Sequence, residues 1–402
     1  MAAWRFVALR VLTGQILDWD VPLTLTSAPV RELSGPGGMS GYVEPEYARL
    51  IAADGQPTLQ EWDTAIFAEL DGQIRGGGMI VDTSADSGKW MLRCAGYTSY
   101  PHGIPFGGLI QSGLRITPPD PNDGLDKNHD GYVDYTDPPR SIQVGPPPPS
   151  YGGPRIDAYD AVRHIWDHLQ SFDNGRLDLV VDQHPAGVLL GAEDGSDPYE
   201  LAWWDTPDCG GAIDTIALQV GFDYLEEHAW TDIDGNNPTI THRLRLGTPR
   251  LGRKRTDLRF ADGENISKTA TPRALGEEFA NEVLVLGRGE GATMPRLQLT
   301  RPDGRLRRVH VVAEKAATGE AALRARGNRE LQSRTQGLYI PMLEVRDHPN
   351  APVGSWSPGD DILVQTHVPW VGDVAIWHRI ISDELRTDGT VLLTLKRSDA
   401  LG

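Results

Sequence analysis

At both ends of the chain apolar and polar residues alternate with a period of two, and this pattern limits the fold more than any other feature. Successive side chains of a strand point to opposite faces, so such alternation builds a half-buried sheet rather than the stripe of an amphipathic helix. From Ala65 to Tyr97 it predicts a β-meander: a strand pair turns at Asp71-Gly72, passes the glycines 76 to 78, and turns again near Ser87-Gly88 before Trp90, Leu92 and Cys94. The C-terminal end predicts a second meander, with strands over Ile362 to Gln365, Val374 to Ser382 and Val391 to Leu395 and a turn at Asp388-Gly389. Laid on each other at identical spacing, the two place Ile80 on Ile381, Asp82 on Asp383, Gly88 on Gly389 and Leu92 on Leu393. The match is weak, since two unrelated hairpins would share half of it, but it is what an internal duplication leaves.

The start, MAAWRFVALRVLTG, carries Arg5 and Arg10 inside its apolar stretch and reads as a strand rather than as the core of a signal peptide. No apolar run approaches the roughly 18 residues needed to span a bilayer. A soluble protein assembled in a cytoplasm is the expectation. With 45 glycines and 30 prolines among 402 residues, strands and turns should outweigh helices, giving a mainly β, β-rich α+β chain of two to four modules.

Between the ends the texture changes. Residues 117 to 154 hold ten of the prolines and can form neither a ladder nor a helix interior, so they read as an insertion or linker. Directly after it Ala158, Ala161, Val162, Ile165, Trp166 and Leu169 recur at helical spacing, with Asp157 placed to cap the helix and Asn174-Gly175 to stop it. From Leu177 to about Leu246 short strands are expected, with Val180, Leu189, Leu201, Ile216, Leu218 and Val220 in the core. A second helical stretch runs from Glu320 to Arg334, interrupted by Gly327. The domains predicted are 1–116, the insertion 117–154, a middle α+β domain 155–250, and 251–402.

A net charge of −18 repels phosphate and argues against nucleic-acid binding, while suiting a channel through which DNA slides without sticking. Cys94 and Cys209 lie far apart without a CxxC spacing and read as two free, buried thiols. The sharpest motif is DKNHDGYVDYTD in the insertion. Counted from Asp126, oxygen ligands fall at Asp126, Asn128, Asp130, the Tyr132 carbonyl, Asp134 and Asp137, with Gly131 at the sixth position, where a calcium loop turns sharply. Asp rather than Glu at the last position resembles dockerin loops, and Pro138-Pro139 deny it an exiting helix; the ion would staple a loop. A solvated acidic turn is the alternative.

Other candidates are weaker. His164 and His168 stand four apart, but beside Asp160 and Asp167 they read as a solvated helix face. Asp232, Asp234 and Asn236 read as a polar hairpin turn, GRGEGAT from Gly287 as a flexible loop, and Trp203-Trp204 as core or interface packing rather than a sugar platform. There is no HExxH, GxSxG or CxxC, and no catalytic residue is predicted.

Several stretches together carry a resemblance: GFDYLEEHAW from Gly221, LRFADGENI from Leu258, ANEVLVLGRGEG from Ala280, SPGDDILV from Ser357, WHRIISDELRTDGTVLLTLKR from Trp377, and the VRHIWDHLQSF helix. They resemble minor tail proteins of actinobacteriophages, specifically the siphovirus family that builds the tail-tip, or baseplate, hub. The resemblance implies a non-enzymatic virion protein at the tail tip, a homotrimer in which each chain gives two tail-tube-like β-barrels, so that three copies match six tube subunits. It also implies contacts with the distal tail protein and other minor tail proteins, a lumen holding the tape-measure protein, and passage of the genome without specific binding. A calcium-dependent adhesin for host cell-wall glycan and a tail-associated cell-wall hydrolase are the rival readings.

Overall fold

The structure, a computed structural model, describes residues 4–111, 150–151, 155–191, 199–231, 233, 238–268, 270–273, 279–287, 289, 291–313, 320–335, 337–369 and 371–398. The calcium ligands Asp126, Asn128, Asp130, Tyr132, Asp134 and Asp137 lie outside the described residues, as do Asp232, Asp234 and Asn236. Strand makes up 46% and helix 16%, so the chain is mainly β, as its alternation and its glycine and proline content predict. It divides into a first unit ending at Leu251 and a second beginning at Gly252.

In the first unit β1 (Trp4–Arg10), β2 (Ile16–Asp18), β3 (Thr24–Glu32), β4 (Gly38–Val43), β5 (Thr64–Leu70), β6 (Gln73–Asp86) and β7 (Lys89–Ala95) pair in the order β3-β4-β7-β6-β5-β1-β2, antiparallel throughout. The meander falls where alternation puts it. Asp71-Gly72 and Ser87-Gly88 all take positive φ, the left-handed pair that a two-residue hairpin turn needs to follow strand twist. The glycines 76 to 78 have φ between 137° and 151°, and a Cβ on Gly78 would stand 2.0 Å from the Ala95 carbonyl oxygen, so only glycine lets β6 run this close to its neighbours. Both faces of this sheet are buried. Phe6, Ala8, Ile66, Ala68, Ile80 and Leu92 fill one core, and Leu9, Ala65, Phe67 and Met79 enter another. That is why the first strand reads Phe-Val-Ala-Leu without a polar partner at every second position.

The second of these cores is completed by α1 (Ala158–Gln170), β8 (Leu179–Val181), α2 (Cys209–Val220), β9 (Asp223–Thr231) and β10 (Thr239–Gly247). The Asp157 side chain accepts from the Tyr159 N–H and caps α1 as predicted, but the helix ends at Ser171, before Asn174-Gly175. α2 corrects the expectation of strands between Leu177 and Leu246. Ile216, Leu218 and Val220 mimic alternation, yet Asp208 accepts from the Gly211 N–H and Gly221 ends the helix in the left-handed conformation. Ile216 is therefore buried while Leu218 is 56% exposed; Val180 and Leu189 are exposed as well.

In the second unit β11 (Phe260–Ala261), β12 (Glu282–Leu286), β13 (Arg296–Thr300), β14 (Val309–Ala313), α3 (Glu320–Thr335), β15 (Met342–Arg346), β16 (Asp361–Val368), β17 (Gly372–Leu385) and β18 (Thr390–Arg397) follow. Five of them pair in the order β15-β18-β17-β16-β11 around Leu343, Val345, Ile362, Val364, Ile380 and Leu393. Among the described residues no ladder closes into the barrels that the family resemblance implies. In the first unit the path ends at the three-residue β2, which pairs on β1 alone. In the second, the gap between the edge strands β15 and β11 is spanned by single bonds of the chain that follows β11: the Ser267 N–H donates to Glu344 and the Arg346 N–H to Asn265. Buried Asn265 holds this corner by accepting from the Ala261 N–H and donating to the Arg259 carbonyl.

Candidate functional site

The two meanders are built alike around their long central strands. β6 and β17 are each 14 residues long, each lies between an antiparallel strand before it and one after it, and each carries one extra residue against the strand after it; β6 has a second, Arg75, against β5. In the first unit Ile80 faces Cys94 and Asp82 faces Arg93, leaving Val81 as the bulge. In the second Ile380 faces Leu395 and Ser382 faces Thr394, leaving Ile381. A bulge sharpens the local twist, so its recurrence at the same place bends both long strands alike. The flanking order β4-β7-β6-β5 in the first unit recurs as β15-β18-β17-β16 in the second, but the next strand differs, since β1 is antiparallel on β5 and the two-residue β11 is parallel on β16.

Structural equivalence of the bulges sets Val81 on Ile381, and Cys94 on Leu395. The spacing read from sequence is therefore one residue out in the first strand of each hairpin, where it set Ile80 on Ile381, and right in the second, where it set Leu92 on Leu393. The turns explain the slip: Ser87-Gly88 alone separate Asp86 from Lys89, whereas the Arg386 N–H reaches the Thr390 carbonyl across three residues.

The described residues also contain a buried ionisable network that sequence reading missed. Glu226 on β9 accepts from the backbone N–H groups of Tyr97 and Thr98 at 2.8 and 2.9 Å and lies 2.5 Å from the Nε2 of His228. The Nδ1 atoms of His228 and His242 stand 2.7 Å apart, so one shared N–H bridges the two rings, and Phe67 and Tyr97 pack against both. Burial alone would push the Glu226 carboxyl up, but His228 and the two N–H donors outweigh it and hold it below the usual carboxylate range. Burial, with His228 beside it, holds His242 well below its ordinary 6.5. The network ties β9 and β10 to the end of β7, while the buried Tyr97 and Thr98 hydroxyls beside it make no hydrogen bond among the described residues. Only the alternation Glu226, His228 on β9 signalled it, and alternation alone cannot say what lies opposite.

The remaining candidates separate. His168 is buried rather than solvated, because α1 turns it onto Phe106; its Nε2 accepts from the Gly107 N–H at 3.0 Å and is not free to share a metal with His164. Burial pushes its pKa down. Trp203 and Trp204 are not in the core but sit in a 3₁₀ turn, 42% and 50% exposed, edge to face with ring centres 5.7 Å apart. Cys94 and Cys209 are both free and buried, and burial pushes each thiol up to about 12, which makes both inert. Among the described residues no group of three His, Cys, Asp or Glu side chains could hold a metal, and no helix is long and apolar enough to cross a membrane.

Along almost its whole length the chain is similar to the 43 kDa tail protein of prophage MuSo2 from Shewanella oneidensis, with 12% identity, 99% of each chain covered and a TM-score of 0.53. It is also similar to the prophage tail protein gp18 from Listeria monocytogenes EGD-e, with 10% identity, 98% of this chain and 95% of that chain covered, and a TM-score of 0.50. At these identities the likeness is one of fold. No protein-family model and no curated protein sequence matches the chain.

Proposed function

We propose that this protein is a structural component of a phage tail, the hub of the tail tip, and that three copies form a ring closing the tail tube. The observation that carries this reading is the repeated four-strand antiparallel order with a bulge at the same place in both units. A chain with two equivalent sheet modules can present six to a tube when three copies surround one axis. Its distal tail and minor tail protein neighbours, the tape-measure protein in the lumen, and its place among siphovirus hubs of actinobacteriophages all belong to this proposal. Three copies of a chain at −18 would line the channel with charge that repels DNA and lets it pass unbound. No step of this function needs a catalytic residue. The test is an image of the assembled particle at modest resolution: threefold density on the tube axis, fitted by this chain, is expected, and density off the axis or without threefold symmetry ends the hub reading.

The calcium loop is part of the same proposal, as a staple within residues 126–137. Calcium is expected to raise the melting temperature of the wild type, and Asp126→Ala with Asp130→Ala to abolish that gain. A wild type that gains nothing from calcium removes the ion without touching the hub. The exposed Trp203-Trp204 pair favours one second reading, a glycan adhesin, which calcium-dependent and chelator-sensitive binding to host cell walls would distinguish.

A further inference from the structure

The insertion that carries α3 has one face of its sheet packed and the other open. β12 is central, with β13 antiparallel on one side and β14 parallel on the other. Val283 and Val285 are fully buried beneath α3 with Leu323, and Gly327 sits where a Cβ would stand 2.6 Å from Leu299 and 2.9 Å from Val285, so the helix lies flat on this face. Alternate residues point the other way. Pairing sets Gln298, Leu284 and Val311 in one row across that second face, and Arg296, Leu286 and Ala313 in the next. Val309 and Val311 are 41% and 53% exposed there. Val311 lies beside Leu284 and Ala313 beside Leu286, so two rows are apolar at β12 and β14. Val309 at their edge shares its row with Thr300 and with Glu282, which is buried and ion-paired with Arg307.

Charge says what fits it. Residues 281–335 hold eleven arginine and lysine residues against six acidic ones, a net +5, which leaves −23 on the rest of the chain. Arg296 stands exposed at the β13 end of the outer row. Whole-chain composition hides this, because the acidic remainder swamps it. We infer that the open face of this insertion docks on the acidic surface of a second copy of the chain. A cyclic ring joins one surface of each copy to a different surface of the next, which suits opposite charges, whereas a self-complementary contact would set arginine on arginine. The inference rests on the hub reading for its ring and adds to it the surface that holds neighbours together.

The test is sedimentation velocity on the full-length chain at concentrations up to about 100 μM. Wild type is expected to associate, and Val309→Asp with Val311→Asp to weaken association at least about tenfold by placing carboxylates in an apolar contact. The melting temperature should stay as in wild type, since both side chains lie at the surface. Arg296→Glu should weaken association as well, and raising salt to about 0.5 M should bring wild type towards that variant. Unchanged association in either variant overturns the surface and leaves the hub standing. A wild type that is monomeric throughout this range also overturns it, and the particle image alone then decides the hub.

Discussion

Glu226 is a buried carboxylate that accepts from the Tyr97 and Thr98 N–H groups and pairs with His228, so removing it takes the acceptor from both donors and leaves His228 with His242 alone. Breaking a buried pair in this way costs about 3–5 kcal/mol, and Glu226→Ala should lower the unfolding free energy of the chain by that much in a denaturant titration. Glu226→Gln keeps one acceptor and should cost less. The sign of the pH effect follows from the two directions. His242 resists protonation when folded, so its contribution is whole above the ordinary 6.5 and is lost as the pH falls below it. Glu226, held below its ordinary 4.5, contributes above that value and is lost as the pH falls through its lowered one. Acid should therefore destabilise wild type from about pH 6.5 downward, and a melting temperature flat from pH 7 to pH 5 would contradict the network.

Among the elements, α1 shows how far local rules reach. Its apolar positions and its cap are legible in the residues themselves, because a helix face and an N-cap are set by spacings of three and four. Asp157 does more than cap, since the same carboxylate accepts from the Ala186 and Gly187 N–H groups and so anchors the loop after β8. Asp157→Ala should accordingly cost more than the roughly 1 kcal/mol of an ordinary cap, about 2 kcal/mol, read from the denaturation midpoint. The two-residue turns of the first meander were equally legible, as aspartate or serine followed by glycine. α2 was not, because Gly210 and Gly211 weaken its start and Ile216, Leu218 and Val220 imitate a strand. Gly327 misled in the same way: it reads as a break in α3, yet the helix runs through it unbroken and uses it to lie on Val285 and Leu299. A glycine chosen for close packing and one chosen for a bend look alike until the neighbour is known.

For the whole molecule, the sequence by itself determined the class, the turns and the presence of two related meanders, because each depends on residues a few positions apart. Only the tertiary structure decided that β1 and β5 are buried on both faces, that the bulges fall at Val81 and Ile381, and that Glu226 meets Tyr97 and Thr98 across more than a hundred residues. It also decided which face of β12, β13 and β14 α3 covers. Alternation tells which side chains share a face, but what lies against that face is settled by packing between segments remote in the chain, and no local spacing carries that information.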